Sequence, residues 1–449
     1  MTSFVDSAMV ESMEARQVTV AKGLTTLLTA SLLAGSSVAD ERIWTDTQGR
    51  KLTAQLLAIE SQKARLRLAS GKESQVDLEK LSPEDLDYIL QWRTQRPKRI
   101  IWPEEIDVRD KVTVTTVRED ADAKEFVYRT EHFEFHADEK IAGSLIKDFS
   151  LAFEATLAAV SALPLNLKPE PPQGYFQIRL FGDRFDYYAA GGLIGSAGVY
   201  VPLKRHILVP MDGLNLKRVG SALRKNNSAY DNSTLVHEIT HQVMHDWLKH
   251  MPTWMVEGMS EYMSSLPYSN GKFRFNESAR KNGIKAALTR WEGGRQTSYS
   301  ILPAETLFSV NSREWNRASG NAAVMNYSSS MLYVYYFMHL AGRGEGEDIC
   351  TFAEAIDRAK PSVVPYLKEF DTALRGYVEK ADAAEKSGGA QVLSDYDIPE
   401  ILLVPPDAII FKKGTPHESA LARMIGQKDL KQLTEDVIAA FTKDGIRLE

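Results

Sequence analysis

The densest concentration of reactive side chains in the chain is His237-Glu238-Ile239-Thr240-His241, and four of the nine histidines fall between His237 and His250. On a helix, residues i and i+4 share a face with Cβ atoms about 6 Å apart, so His237 and His241 can aim both imidazoles at one ion. That fills two positions of a tetrahedral zinc site. A third protein ligand is still needed, and a catalytic metal keeps its fourth position for water. The single cysteine, Cys350, excludes both an intrachain disulfide and a multi-thiolate site, so any metal must be held by histidine and carboxylate. Sixteen residues after His241 comes Glu257, with Glu261 four further on. Both carboxylates can face the first helix across a turn.

The spacing predicts the elements that must carry these groups. Asn232 or Ser233 can cap a helix whose apolar stripe is Leu235, Val236, Ile239, Val243, Met244, Trp247 and Leu248, and Pro252 prevents its continuation. A second short helix then starts after Pro252-Thr253. With the two segments side by side, the chain resembles the gluzincin (peptidase-MA-like) zinc metallopeptidases, in which an H-E-x-x-H helix is followed by W-x-x-E-G-x-x-E-Y, here Trp254 to Tyr262. The resemblance implies His237, His241 and Glu257 as Zn²⁺ ligands, Glu238 as general base, and Glu261 as the carboxylate that orients a ligating histidine. The fifteen-residue spacer between His241 and Glu257 is shorter than in the aminopeptidase-N type, which favours a small relative within that superfamily.

The implied reaction is peptide-bond hydrolysis. Zinc lowers the pKa of its bound water to about 7, and Glu238 takes a proton from that water and returns it to the leaving amine. Asn326-Tyr327-Ser328 is similar to the tyrosine-bearing helix found after the zinc site in such peptidases, so Tyr327 is the candidate for meeting charge on the carbonyl oxygen. Core packing beside Tyr333, Tyr335 and Tyr336 is the competing reading. By the same resemblance, the strand at Val199, Tyr200 and Val201 is a candidate platform that pairs with an extended substrate.

Other conspicuous residues have plainer readings. His245 continues the spacing as i+8 but rises about 6 Å beyond His241, so a hydrogen-bonded histidine is expected. His250 is expected to face solvent in a turn. His132 and His136 flank Phe133-Glu134-Phe135 and are expected with Glu134 on a solvated strand face. Trp254 reads as packing. The cluster Gly191 to Gly198 lacks the Gly-Lys-Ser/Thr of a phosphate loop and reads as a mobile loop. Lys204-Arg205-His206 reads as a solvated turn.

The remainder of the 449 residues supplies context. Gly23 to Ala39 is uncharged and ends in Ser37-Val38-Ala39, the pattern of a secretory signal, so residues 1–39 are expected to be a leader and the protein secreted or periplasmic. The run is too short and too rich in Thr and Ser for a stable membrane span. Residues 40–95 read as four short strands and a helix opened by Ser82 as N-cap, Pro83 at the first helical position and Asp85 three residues after the cap. This stretch resembles the SHD-type (Sla homology) modules, from Trp44-Thr45 through Gly49-Arg50 to Leu81-Ser82 and Tyr88, which implies a protein partner. Residues 104–392, strands around one helix and then helices, read as an α+β gluzincin-like domain, and 393–449 as a helical appendage. With 54 basic against 60 acidic residues, net −6, no nucleic-acid partner is expected. The expected partners are a peptide or protein substrate and a protein bound by the β module. The alternative to a peptidase is a non-catalytic surface or scaffold protein with a structural zinc site. Glu238 argues against it, since a structural site needs no carboxylate between its histidines.

Overall fold

The computed structural model describes residues 42–449 apart from 61–62, 69, 96–99, 173, 215, 220–221, 226–231, 295, 387–397 and 427, so the expected leader lies outside the described residues. The described chain forms two compact units, residues 42–95 and 100–449, in a mixed α+β architecture. No helix among the described residues is long and apolar enough to cross a membrane.

The first unit is an antiparallel meander of β1 (Arg42–Thr45), β2 (Lys51–Glu60), β3 (Lys63–Leu68) and β4 (Glu73–Asp77). Period-two alternation sends Ala54 and Leu56 of β2 and Ala64 and Leu66 of β3 inward, where Trp44, Leu81 and Ile89 complete the core. Helix α1 (Pro83–Gln95) closes it. Ser82 Oγ accepts from the Asp85 N–H at 3.3 Å, so Ser82 does cap. The Asp85 carboxylate does not reach back to Ser82 as a capping box requires. It is buried and binds the Thr45 N–H and the Arg42 guanidinium instead, which ties helix to strand.

The second unit is built on a six-stranded sheet. After β5 (Glu105–Asp107) come β6 (Thr115–Asp120), β7 (Glu125–Arg129), β8 (Phe133–Ala137), helix α2 (Gly143–Ala162), β9 (Phe176–Phe181), α3 (Arg184–Ala189), β10 (Val199–Val201) and β11 (His206–Pro210). The strand order is β10-β11-β9-β8-β7-β6, with β11, β9 and β8 parallel and the outer pairs antiparallel. Helix α2, the one helix expected among the strands, is therefore the crossover of a β-α-β unit that joins parallel β8 and β9. Its sequence is apolar on nearly every face because it lies between the sheet and the histidine-bearing helix. Phe153 meets Phe133 and Phe135 with ring centroids 5.3 and 5.1 Å apart, and the buried hydroxyls of Ser150 and Thr156 bond the carbonyls four residues back.

Helices follow, interrupted by two short β pieces. A two-stranded hairpin, β12 (Leu216–Val219) and β13 (Ala222–Lys225), precedes α4 (Ser233–Val243), α5 (His245–Leu248) and α6 (Thr253–Ser265). Strands β14 (Tyr268–Ser269) and β15 (Lys272–Arg274) pair with β5. Then come α7 (Glu277–Trp291), α8 (Ala304–Ser309), α9 (Ser312–Arg317), α10 (Gly320–His339), α11 (Glu347–Ala359) and α12 (Val364–Lys386). The expected C-terminal appendage contains α13 (Pro406–Ile410), α14 (Pro416–Ile425) and α15 (Leu430–Lys443), and it shares the main core through Ala420, Met424, Leu433, Val437 and Phe441. The last residues pair with Tyr299 and Ile301 by main-chain hydrogen bonds.

Three side-chain expectations are corrected here. Glu134 is buried, not solvated, held by Arg129 and by His136 Nε2 at 2.8 Å. His132 lies just before β8 and not on it, and its partly exposed ring binds buried Glu154 through Nδ1 at 2.7 Å. His250 is buried against His417, ring planes 18° apart, because the C-terminal helices cover the turn that was expected to be open. Trp254 packs as expected, stacked on Phe308 at 4.2 Å.

Candidate metal centre

Three elements converge on the site: α4 and α6, which pack directly on one another, and α10, which crosses α6. Helix α4 buries Leu235, Val236, Ile239 and Val243 and turns His237 and His241 toward α6. It is shorter than the apolar stripe suggested. The chain breaks at Met244, Asn232 makes no side-chain cap, and Trp247 belongs to the separate turn α5. Helix α6 starts directly after Pro252 and presents Glu257, Ser260, Glu261 and Ser264 on the i, i+3, i+4, i+7 face. The crossing with α10 is made at Gly258, where a Cβ would stand 2.5 Å from the Ser330 carbonyl oxygen and 2.7 Å from Val334 Cγ2. Only glycine allows this approach.

The donor atoms lie close together. His237 Nε2 and His241 Nε2 are 2.9 Å apart, and Glu257 Oε2 stands 3.4 and 3.3 Å from them. Tetrahedral zinc with ligands near 2.0–2.1 Å has ligand-to-ligand edges of about 3.3 Å, so the triangle fits that ion. Among the described residues this is the one group of three His, Cys, Asp or Glu side chains whose donor atoms converge in this way. Both histidines keep 12% side-chain exposure and Glu257 keeps 17%, and of the three donor residues His237 lines a cavity. The cavity has a volume of about 220 Å³, and Glu238, Arg290, Trp291 and Tyr327 are among its lining residues.

The far ring nitrogens are also engaged. His237 Nδ1 lies 3.0 Å from Glu261 Oε1, and Ser264 Oγ reaches the other Glu261 oxygen at 3.2 Å. His241 Nδ1 lies 3.2 Å from Ser260 Oγ. The sequence reading missed Ser260, although its phase on α6, three residues after Glu257, was a usable signal. Charge is matched as tightly. Burial pushes the His237 pKa down, but Glu261 and Glu257 outweigh it and hold the ring well above the usual histidine range. Burial acts to raise Glu257, but His241 and His237 prevail and keep it far below the usual carboxylate range.

Glu238 lines the same cavity as His237 and is tied to strand β10. Its Oε2 accepts from the Tyr200 N–H at 2.7 Å, and burial raises its pKa against the opposing pull of His237 and His241. Strand β10 is at the edge of the sheet, as expected for a platform, yet its outward Tyr200 N–H is bonded to Glu238. The Tyr200 hydroxyl bonds His245 Nδ1 at 2.6 Å, and burial followed by the Arg205 charge lowers His245 to about 4. His245 is thus a hydrogen-bonded histidine, as expected. Tyr327 faces His237 edge-on at 6.1 Å and Trp315 at 5.1 Å, and burial followed by Glu257 keeps its phenol protonated. The Gly191 to Gly198 loop, expected to be mobile, is fitted in place. The Leu193 N–H donates to the Tyr187 hydroxyl at 3.2 Å, and Gly192 lies so close to that ring that a Cβ would overlap it.

Compared with known protein families, residues 35–96 match SLA1 homology domain 1 (SHD1). The N-terminal unit is therefore an SHD1 domain, which suggests a protein-binding module. No curated protein matches the chain.

Proposed function

We propose that residues 100–449 form a gluzincin-type zinc peptidase and that the protein hydrolyses peptide bonds. The observation that carries the reading is the convergence of His237 Nε2, His241 Nε2 and Glu257 Oε2 in a triangle with zinc-sized edges. Those three side chains would hold Zn²⁺, which supplies Lewis acidity and an activated water when bound. Glu238, tethered through one oxygen to Tyr200, takes a proton on its carboxylate and passes it to the leaving amine. Its burial favours the protonated form that this return step needs. Tyr327, kept neutral, supplies a hydroxyl donor on the cavity wall for the developing oxyanion. The uncharged run Gly23 to Ala39 supports a secreted or periplasmic location.

A scaffold protein with a structural metal has the SHD1 match in its favour. The two readings separate on zinc content and cleavage of casein by wild type and Glu238→Gln. The peptidase reading expects one equivalent of zinc in both proteins and cleavage by wild type alone, reduced at least about 100-fold in the variant. One equivalent of zinc with no cleavage by either protein, across several unstructured substrates, overturns it in favour of the scaffold.

A further inference from the structure

We infer that Ser260 is a positioning residue that fixes His241 in the tautomer required of a metal ligand. The inference rests on the zinc reading above. Ser260 is fully buried on α6, and its hydroxyl has two partners, the Val256 carbonyl oxygen and His241 Nδ1, each at 3.2 Å. A hydroxyl carries one proton. The carbonyl oxygen can only accept, so the Ser260 proton goes to Val256, and the contact with His241 is a hydrogen bond only if Nδ1–H donates to Oγ. In the other arrangement Oγ–H donates to Nδ1, and the Val256 contact is lost. Both bonds form only in the Nδ1–H tautomer, which leaves the Nε2 lone pair facing His237 Nε2 and Glu257 Oε2.

The same logic applies to His237 with a stronger partner. Glu261 can only accept when ionised, so Nδ1–H donates to it and Nε2 is the nitrogen that faces Glu257. Helix α6 therefore supplies the third ligand and, from two adjacent positions, the outer partner of each histidine. The two partners are unequal. His237 faces a carboxylate, whereas His241 faces a neutral hydroxyl, which orients the ring without adding a further negative charge. A second carboxylate at this position would neutralise more of the metal's charge and weaken its pull on a bound water.

The test uses the full-length chain, with Zn²⁺ as the probe. In Ser260→Ala, zinc affinity measured against a competing chelator is expected to fall about 10-fold to 100-fold. The ¹⁵N shifts of His241 in the metal-free protein are expected to move from the Nδ1–H pattern toward a mixture of tautomers, with those of His237 unchanged. Thermal unfolding of the metal-free variant shows whether the fold has survived, and Ser260→Thr, which keeps a hydroxyl, is expected to recover affinity and tautomer. A wild type that binds one zinc, with Ser260→Ala within two-fold of its affinity and an unmoved His241 tautomer, overturns the inference and leaves the zinc reading standing. A wild type that takes up no zinc overturns the reading beneath it.

Discussion

Replacing Gly258 by alanine tests the helix crossing that places Glu257 opposite Tyr327. The new methyl carbon would stand 2.5 Å from the Ser330 oxygen, 2.7 Å from Val334 Cγ2 and 2.8 Å from the Ser330 carbonyl carbon. Val334 can rotate, but a helix carbonyl cannot. Restoring ordinary contact requires α6 and α10 to part by nearly an ångström, and overpacking of this kind costs about 1–3 kcal/mol. Alanine opposes that cost, being favoured over glycine in a helix interior by about 1 kcal/mol. Because the clash is with backbone, we place the strain at the upper end and expect a net loss of about 2 kcal/mol. The assay is urea denaturation of Gly258→Ala and wild type, both metal-free, with the slope checked for a common unfolding transition. Zinc-loaded Gly258→Ala should also lose turnover, since Tyr327 lies one helical turn before Ser330. A variant as stable as wild type or more so would refute the reasoning, because propensity would then have won and the close crossing could not exist.

Glu261→Gln should weaken zinc binding about 10-fold to 100-fold by loosening His237, read by chelator competition. Tyr327→Phe should reduce kcat by on the order of 100-fold with zinc content unchanged; unchanged kcat returns Tyr327 to a packing role beside Trp315. Acid should destabilise the fold through His250, which burial, followed by His417, holds at about 4. The unfolded chain then takes up a proton that the folded one refuses, so stability is intact above about 6.5 and is lost as pH falls toward 4, by up to about 3 kcal/mol. His250→Gln should flatten that part of the stability profile, and an unaltered slope would dismiss the His250–His417 contact as its source.

Much of the site was legible because its chemistry is local. Histidines at i and i+4, and Glu257, Ser260 and Glu261 on one helix face, are phase relations inside single helices, and the Pro252 break announces the turn between them. The four strands of the SHD1 unit were legible for the same reason, each alternating over a few residues between turn signals. What the sequence did not disclose depends on partners distant along the chain. Glu134 and His132 follow the alternation of an exposed strand, yet Arg129 and His136 hold a buried Glu134 and a buried Glu154 holds His132. His250 looked like a turn residue because nothing nearby in sequence reveals that His417 will stack on it. The break at Met244 escaped notice because the apolar stripe runs on through Trp247, while the backbone ends α4 and starts a new turn. The C-terminal helices read as an appendage because their amphipathic faces do not say what they cover.

The central claim is that His237, His241 and Glu257 hold a zinc ion. A crystal of the zinc-loaded protein, with anomalous diffraction recorded on both sides of the zinc edge, tests it directly. The account predicts one strong peak per chain, about 2.0–2.2 Å from His237 Nε2, His241 Nε2 and a Glu257 oxygen. A peak on other side chains, or none from crystals grown in excess zinc, would contradict it.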